Sequence, residues 1–296
     1  MANDVLLTGP GRSGTTLVCH LLNELPDTVA LNEPLVPRHF LQGDPVENVA
    51  AFFARQRTRI AETGTAVSCS VDGALTSNPV ADRRTGVARL LSHVPGKFAA
   101  THLGKYATRE VIATRGPMEI GKDLTDDYML LIKQPGALTA LLEPLATRFA
   151  SYAIVRNPLA ILASWNSVDF RADGHAPVPE LLDADLKARL SANRDRFDRQ
   201  IELLAWGFER YLKFLPPEHL LTYEALVESG GPSLAVITPR AASLAGSLQN
   251  RNRNKVYDRR LVPMLAERLL SRDEPFWQVY TRESVEQLAI DYAGRA

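Results

Sequence analysis

The sequence predicts an α/β fold in which a mostly parallel central sheet is flanked by helices. Three apolar segments of strand length, beginning near residues 4, 128 and 149, each run into a turn and then into a segment with helical periodicity. Repeated strand-then-helix units are typical of parallel sheets. The chain has 296 residues, of which 45% are apolar and 23% are charged, so it can bury the core of one large domain.

The first unit begins at Asp4 and continues through a glycine-rich turn into a predicted helix over residues 15–25, which ends near a proline. A short second strand is predicted over residues 29–32. Glu33 follows this strand directly and is therefore placed at its carboxyl end.

The region over residues 35–127 lacks a continuous pattern. Residues 46–62 have helical periodicity and residues 67–71 favour a strand, but proline, glycine and polar clusters interrupt the remainder. We interpret this region as a helical and irregular insertion or cap over the functional site.

Regular patterns return at residue 128. A buried-type strand over residues 128–132 ends at Lys133, and a second strand over residues 149–155 ends at Arg156. The other predicted elements are helices over residues 138–146 and 159–167, one long amphipathic helix over 186–214, a strand over 220–223, and helices over 261–270 and 283–292.

The charge balance excludes some classes of partner. Lys plus Arg and Asp plus Glu number 34 each, which argues against a general nucleic-acid or membrane surface. The two cysteines, Cys19 and Cys69, are too few for a disulfide framework and fit a reducing compartment. With no signal peptide and no apolar run near the eighteen or so residues of a membrane span, a cytoplasmic protein is expected.

The turn after the first strand, within GPGRSGTTL, has the properties of a phosphate-binding loop. Glycines let the backbone approach an anion, and the free N–H groups at the start of a helix face it. Gly9 and Gly14 have the spacing of a nucleoside-triphosphate P-loop, but Thr15 stands where that loop needs its lysine. The basic residue of this turn is Arg12. The sequence therefore predicts a phosphate cradle with altered chemistry.

A dinucleotide-binding site is an alternative for the same turn. Gly9, Gly11 and Gly14 also satisfy G-x-G-x-x-G, and Glu33 lies nineteen residues after Gly14, near where a ribose-binding carboxylate would stand. Against this alternative, Arg12 and two adjacent threonines crowd a turn in which a dinucleotide needs bare backbone.

Ligands of open parallel sheets bind outside the carboxyl ends of the strands. The turn over residues 9–16, Glu33, Lys133 and Arg156 all occupy such ends, so we expect them to converge in space. Ser164 lies eight residues after Arg156, about two turns into the next helix, and the two residues are spaced to grip one phosphate.

Two motifs together, GPGRSGTTL and VRNPLAILASW, resemble sulfotransferases that use 3′-phosphoadenosine-5′-phosphosulfate (PAPS). The resemblance is closest to the tyrosyl-protein and bacterial branches, which carry Arg-Ser-Gly-Thr-Thr in the first motif. It covers roughly residues 4–35 and 128–228. It implies a P-loop-like three-layer α/β fold, with residues 1–296 forming a single domain in which 35–127 is an acceptor-binding insertion or cap.

The resemblance also implies roles for individual residues. A catalytic carboxylate is implied at Glu33, and Lys133 and Arg12 are implied to act on the transferring group. The implied nucleotide-binding residues are Arg12, Ser13, Gly14, Thr15 and Thr16 for the 5′-phosphosulfate, Arg156 and Ser164 for the 3′-phosphate, and Tyr223 beside the cofactor. Which residues of the polar C-terminal stretch close over the nucleotide is not indicated.

The activity implied is transfer of a sulfuryl group from PAPS to a hydroxyl or amine, leaving adenosine 3′,5′-bisphosphate (PAP), with no metal required. The six histidines show no metal-ligand spacing, and His39 and His102 are alternative bases. A P-loop-type nucleotide kinase or NTPase and a non-catalytic nucleotide-binding protein are alternative functions. Trp165 is assigned to helix packing. The acceptor, a small molecule or a polymer, and the oligomeric state are not determined by the sequence.

Overall fold

The computed structural model describes residues 3–70, 80–82, 109–111, 114–167 and 173–294. The strands of this part of the chain are β1 Asp4–Thr8, β2 Thr28–Asn32, β3 Thr65–Ser70, β4 Val80–Asp82, β5 Arg109–Val111, β6 Thr114–Glu119, β7 Met129–Lys133, β8 Ala150–Val155 and β9 Leu220–Thr222.

The α-helices of the same residues are α1 Thr15–Asn23, α2 Arg38–Leu41, α3 Pro45–Thr63, α4 Ala137–Ala140, α5 Leu142–Ala146, α6 Pro158–Trp165, α7 Pro177–Leu182, α8 Ala184–Ala192, α9 Arg196–Phe214, α10 Tyr223–Ser229, α11 Leu261–Leu270 and α12 Arg282–Ala293. Short 3₁₀ helices cover Pro217–His219, Pro232–Val236, Pro239–Ser243 and Pro275–Gln278.

The central sheet has the strand order β2-β7-β1-β8-β9, and every neighbouring pair in it is parallel. β1 is the middle strand, with Leu6 paired to Ile132 of β7 and to Ser151 of β8. All five carboxyl ends therefore lie at one edge of the sheet. The prediction of a mostly parallel sheet flanked by helices is confirmed.

Helices cover both faces of this sheet because side chains alternate along each strand. In β1, Leu7 packs with Val18 of α1, whereas Leu6 faces the opposite side and packs with Phe53 of α3. A further core joins β8 to helices that include α6, α9, α11 and α12. The resulting arrangement has three layers, with the sheet in the middle.

Two predicted elements differ from the structure. The long helix over residues 186–214 is divided into α8 and α9, because Asp195 caps α9 by accepting hydrogen bonds from the N–H groups of Phe197 and Asp198 at 2.8 and 3.2 Å. Asn193, in the break, is extended. The helix predicted over 138–146 is likewise two short helices, α4 and α5.

The described part of residues 35–127 contains α2, α3 and two small antiparallel pairs, β3–β6 and β4–β5. The β3–β6 pair is attached to the end of β2. There the N–H of Asn32 donates to Ser68 Oγ at 3.0 Å, and Asn32 Nδ2 donates to the Cys69 carbonyl at 3.0 Å. This region is thus joined to the central sheet beside Glu33. None of the helices described here has the length and apolar character needed to cross a membrane.

Candidate active site

The β1–α1 turn has a backbone that only its glycines permit. Gly9 and Gly14 have φ values of +146° and +98°. A Cβ at Gly9 would lie 2.2 Å from the carbonyl oxygen of Ile154, and a Cβ at Gly14 would lie 2.8 Å from Cδ2 of Tyr223. Arg12 also has a positive φ, of 74°, which is a strained conformation for a residue with a side chain. The turn is therefore held close to β8 and α10.

Buried hydrogen bonds fix this turn from two sides. The hydroxyl of Ser13 is fully buried and lies 2.7 Å from the carbonyl oxygens of both Pro10 and Ile154. Trp165 Nε1, from the end of α6, donates to the carbonyl of Gly11 at 2.8 Å. The Ser13 side chain, implied by resemblance to bind nucleotide, thus faces the protein and shapes the loop. Trp165, which the sequence assigned to packing, also holds the loop.

The turn presents the beginning of α1 as an anion site. The first hydrogen bond along this helix joins the N–H of Val18 to the carbonyl of Gly14 at 3.1 Å. The amides of Thr15, Thr16 and Leu17 have no intrahelical partner, and no side chain caps the helix. Three N–H groups and the positive end of the helix dipole are thus available to an anion. Thr15 and Thr16 can contribute through these amides; the Thr15 side chain itself is buried.

Arg12 and Arg156 meet beside this helix end. Arg12 Nε donates to Ser164 Oγ at 3.1 Å, and Arg156 Nη1 donates to the Arg12 carbonyl at 3.0 Å. Arg156 is only 5% exposed, and its guanidinium carbon lies 4.5 Å from the ring centroid of Tyr223. Burial lowers the pKa of Arg12 from its ordinary value, and the positive charge of Arg156 also acts to lower it.

Neither guanidinium has a carboxylate partner at ion-pair distance within the described residues. Arg156 donates instead to neutral oxygens, with Nε 2.7 Å from Asn252 Oδ1 and Nη2 3.4 Å from the Tyr257 hydroxyl. Buried charges are costly unless they are paired. A buried guanidinium (Arg156) and a half-buried one (Arg12) that have no anionic partner in the described residues are suited to an anionic ligand.

Glu224 supports Arg156 through an intermediate amide. Its Oε1 accepts from Asn252 Nδ2 at 2.7 Å and from the N–H of Asn157 at 3.0 Å. Its Oε2 accepts from the Tyr280 hydroxyl at 2.8 Å, and burial, followed by the Glu224 charge, raises the pKa of that hydroxyl well above its ordinary value. Sequence reasoning did not assign Glu224, although it directly follows Tyr223 in the chain.

Lys133 and Glu33 form a second group at the same edge of the sheet. Lys133 is 2% exposed, and its Nζ lies 2.6 Å from Glu33 Oε1, 3.0 Å from Asn32 Oδ1 and 3.3 Å from Thr16 Oγ1. The Glu33 side chain remains 27% exposed. Lys133 therefore brings a positive charge from β7 to the start of α1, next to a carboxylate that solvent can reach.

The backbone of Glu33 is fixed in an unusual conformation. Its φ is +46°, its N–H donates to the Lys133 carbonyl at 2.7 Å, and its carbonyl accepts from Arg115 Nη2 at 3.0 Å. A non-glycine residue in this region costs on the order of 1–3 kcal/mol. Such a conformation persists because hydrogen bonds on both sides of the residue determine it.

Tyr223 is the first residue of α10, where the sequence predicted the last residue of a strand. Thr222 Oγ1 caps this helix by accepting from the N–H of Ala225 at 3.3 Å, which ends the strand one residue early. The Tyr223 hydroxyl accepts from the N–H of Arg251 at 2.9 Å and donates to the Gln249 carbonyl at 3.2 Å. Its ring packs over Gly14, so this side chain joins the C-terminal loop to the β1–α1 turn.

The expected convergence of the strand ends is therefore present, as two adjoining groups: Arg12, Ser164 and Arg156, and Glu33, Lys133 and Thr16. Sequence patterns did not indicate Asn252 or Tyr257. His39, an alternative base, has Nδ1 3.0 Å from the Val36 nitrogen and 3.1 Å from its carbonyl oxygen. His102 lies outside the described residues, within which no cluster of three or more potential metal ligands occurs.

A cavity of about 480 Å³ begins next to Glu33. Its wall includes Pro34, Arg38, His39, Phe52, Arg55 and Arg115. All of these residues except Pro34 belong to the region over residues 35–127 that the sequence analysis interpreted as an insertion or cap. The cavity therefore provides space for a second ligand beside the Lys133–Glu33 pair.

No protein-family model and no curated protein sequence matches this chain. Among solved structures, it is similar to the sulfotransferase domain from the Synechococcus PCC 7002 olefin synthase, with 15% identity, 99% of this chain and 95% of that chain covered, and a TM-score of 0.39. It is also similar to sulfotransferase STF1 from Mycobacterium tuberculosis H37Rv, with 14% identity, 92% and 77% covered, and a TM-score of 0.38. Both are sulfotransferases, the class that the motifs resemble. At such identities and TM-scores, the chemistry has to be argued from the site itself.

Proposed function

We propose that this protein is a sulfotransferase that moves the sulfuryl group of PAPS to a hydroxyl or amine of an acceptor. The observation that carries the proposal is the position of Arg12 and Arg156. Arg156 donates to the Arg12 carbonyl beside the uncapped start of α1, and neither guanidinium has a carboxylate partner in the described residues. A nucleotide that has one anionic group beside the two arginines and another at the start of α1 would supply the anion that each position lacks. PAPS has that charge distribution.

The residues divide between the two ends of the donor. We assign Arg156 and Ser164 to the 3′-phosphate. The resemblance implied that Arg12 binds the 5′-phosphosulfate, but we assign it to the 3′-phosphate as well, because its Nε donates to Ser164 Oγ at 3.1 Å. Guanidinium groups suit phosphate because their N–H donors match its oxygens in pairs. We assign the amides of Thr15 and Thr16 to the 5′-phosphosulfate, where the helix dipole favours negative charge. Gly14 and the buried Ser13 hydroxyl keep the turn in the shape that exposes these amides.

Lys133 and Glu33 carry the chemical step in this proposal. PAPS supplies an activated sulfuryl group. The acceptor oxygen or nitrogen forms a bond to sulfur as the bond from sulfur to the 5′-phosphate oxygen breaks, and that oxygen keeps the electron pair. Glu33 accepts the acceptor's proton, and Lys133 stabilises the charge that develops on the departing oxygen, as in phosphoryl transfer. One preorganised donor of this kind contributes about 3 kcal/mol.

The positive charge supplied by Lys133 also bears on the kinase or NTPase alternative. Thr15 replaces the P-loop lysine, but Lys133 Nζ reaches Thr16 Oγ1 at 3.3 Å from a neighbouring strand. The cationic group therefore lies beside the helix end and next to Glu33. This arrangement favours transfer to an acceptor at Glu33 over a site that holds a triphosphate along the loop.

Binding and transfer measurements test the proposal together. Calorimetry should show that PAP binds more tightly than ATP or NAD, and sulfate from labelled PAPS should be transferred to acceptors when magnesium is chelated. Stronger binding of ATP with magnesium-dependent hydrolysis would support the NTPase instead. Tight PAP binding without transfer to any acceptor in a broad screen would leave a nucleotide-binding protein.

Two further expectations belong to this proposal. Residues 35–127 provide the acceptor cavity, because the lining residues come from both ends of that region. The protein is placed in the cytoplasm, which is supported by Cys19 and Cys69 both being free thiols.

A further inference from the structure

The cavity next to Glu33 has an unusual concentration of positive charge. Arg38, Arg55 and Arg115 lie in its wall, and we call this cavity the arginine pocket. Each comes from a different element: Arg38 begins α2, Arg55 lies on α3, and Arg115 lies on β6. Within the described residues, none of the three forms an ion pair with an acidic side chain. The carboxylate next to the pocket, Glu33, is paired with Lys133.

Arg115 is held in place by the backbone that carries Glu33. Its Nη2 donates to the carbonyl oxygens of Glu33 and Leu35, at 3.0 Å each. These two bonds use one of its nitrogens, and the side chain is otherwise exposed. A guanidinium has five N–H donors in a fixed plane, so as far as the described residues are concerned the rest of the group is available to a ligand. Its position is thereby tied to that of the proposed base.

The effect of the three charges is visible at His39, which also lines the pocket. The pKa of His39 is lowered from its ordinary value, first by burial and also by the positive charges of Arg38, Arg55 and Arg115, against the opposing effect of its hydrogen bond to Val36. Three cations from three elements thus act on one ring in the pocket wall. These charges act in the direction that favours the neutral ring of His39.

Part of the pocket wall is apolar. Phe52 is buried and meets the His39 ring edge-on, with 5.2 Å between centroids. The guanidinium carbon of Arg55 lies 5.9 Å from the Phe52 centroid. Pro34 connects this apolar wall to the neighbouring residue Glu33. The pocket volume, about 480 Å³, lies within the range of small-molecule sites, roughly 300–1,000 Å³.

We propose that the arginine pocket selects small acceptors that carry an anionic group, such as a carboxylate or a phosphate, together with an apolar body. The anionic group binds Arg38, Arg55 and Arg115, the apolar body lies on Phe52, and the hydroxyl or amine is directed to Glu33. This inference rests on the proposed function and names the substrate class of the same site.

The test uses pairs of acceptors that differ only in charge. A series of 4-hydroxyphenyl alkanoates of increasing chain length is compared with the corresponding amides, and hydroxyalkyl phosphates with their dimethyl esters. We expect kcat/KM for sulfate transfer from labelled PAPS to favour the anion by about ten- to a hundredfold in at least one pair, as for a charge-assisted hydrogen bond. Equal values across every pair would overturn the proposal.

Variants identify the residues responsible. Arg38→Gln combined with Arg55→Gln should remove most of the preference for the anion while leaving transfer to the amide within about twofold. The control, Arg59→Gln, makes the same change on α3 outside the pocket lining, at a side chain that donates to Thr65 Oγ1 at 3.1 Å. Equal losses for anion and amide in the double variant would mean that the pocket recognises shape, and the proposal would be wrong.

Direct binding separates this proposal from the proposed function. Saturation-transfer NMR of the same acceptor pairs, with and without the double substitution, needs no sulfate transfer. Calorimetry with PAP reports on Arg12 and Arg156 and should be unchanged in the double variant. Selective anion binding without PAP binding would support the arginine pocket as an anion site and refute the sulfotransferase proposal. PAP binding and sulfate transfer without a preference for anionic acceptors would support the sulfotransferase and refute the proposal for the arginine pocket.

Discussion

Replacing Glu33 by glutamine tests the proposed base most directly, because glutamine keeps the shape of the side chain and removes its charge and basicity. In the structure, Glu33 Oε1 lies 2.6 Å from Lys133 Nζ, and the side chain is 27% exposed. The exposed part of the carboxylate is the part that an acceptor hydroxyl can reach. The substitution therefore alters proton transfer without opening a cavity in the fold.

The magnitude follows from the role of the residue. A general base contributes about 10²–10⁴ in rate, so turnover of Glu33→Gln should fall by at least about a hundredfold, or about 2.7 kcal/mol of barrier. Binding of the donor should be unchanged or tighter. Lys133 loses its counter-charge but keeps its hydrogen bonds to Asn32 and Thr16, so it remains directed at the start of α1.

The assay combines steady-state transfer from labelled PAPS with calorimetric binding of PAP. Glu24→Gln is the matched control, since Glu24 caps the opposite end of α1, pairs with His20 and is 53% exposed. Its turnover should equal that of the wild type. Turnover near the wild-type value in Glu33→Gln would refute the role of Glu33 as a base, and a parallel loss of PAP binding would make it a binding residue instead.

Four other predictions follow from the same contacts. Arg156→Ala should raise the dissociation constant of PAP about ten- to a hundredfold, since hydrogen bonds to charged groups contribute about 1.5–3 kcal/mol, and an unchanged constant in calorimetry would contradict its assignment. Glu224→Gln should weaken PAP binding by a smaller factor and leave kcat at saturating donor near the wild-type value; loss of kcat at saturation would mean that Glu224 acts on the chemistry. Gly14→Ala should lower both Tm and PAP affinity, because its Cβ would lie 2.8 Å from an aromatic carbon at a φ of +98°, whereas Gly64→Ala, with open space around it, should lower Tm alone. Burial raises the pKa of Cys19 to about 12, so the free energy of unfolding should fall as pH rises above about 9, where the unfolded thiol ionises and the folded one does not, by up to ~1.4 kcal/mol per pH unit; Cys19→Ala should reduce that slope in urea unfolding.

The meeting of Lys133 and Glu33, which lie 100 residues apart, was predictable from the sequence. Parallel strands that end at one edge place the residues after them together, whatever the length of chain between the strands. The same rule places Arg156, which follows β8, beside the β1–α1 turn. The glycines of that turn were recognisable because the backbone conformation they permit is a local property.

Contacts made by irregular segments were not predictable in this way. Arg156 is held by Asn252, 96 residues away in a loop with no periodic pattern, so no rule of spacing brings the two together. Glu224 acts on Arg156 through Asn252, so its role could not be predicted without the contact between Arg156 and Asn252. The resemblance implied a nucleotide-binding role for Ser13, but the direction of its hydroxyl depends on the position of the Ile154 carbonyl, which the local sequence does not reveal.

The break between α8 and α9 shows a different limit. The amphipathic pattern continues through residues 186–214, so periodicity alone predicts one helix. Asp195 offers its carboxylate to the amides of the next turn, and this capping competes with helix continuation at that point. Hydrophobic periodicity reports which face of a segment is buried, and it does not report such local competition between hydrogen bonds.

The charge distribution of the site supports the proposal that it binds phosphates although the P-loop lysine is missing. Lys133 is neutralised by Glu33, but Arg12 and Arg156 have no such partner in the described residues. The positive charge of Arg156 acts to lower the pKa of Arg12, so the two guanidiniums repel each other until an anion lies beside them. In the proposed complex, a phosphate beside Arg12 and Arg156 relieves this repulsion and accepts hydrogen bonds from the N–H groups of the two guanidiniums. ATP has no phosphate on its ribose 3′ oxygen and would leave both guanidiniums uncompensated, which is the physical reason to expect it to bind more weakly than PAP.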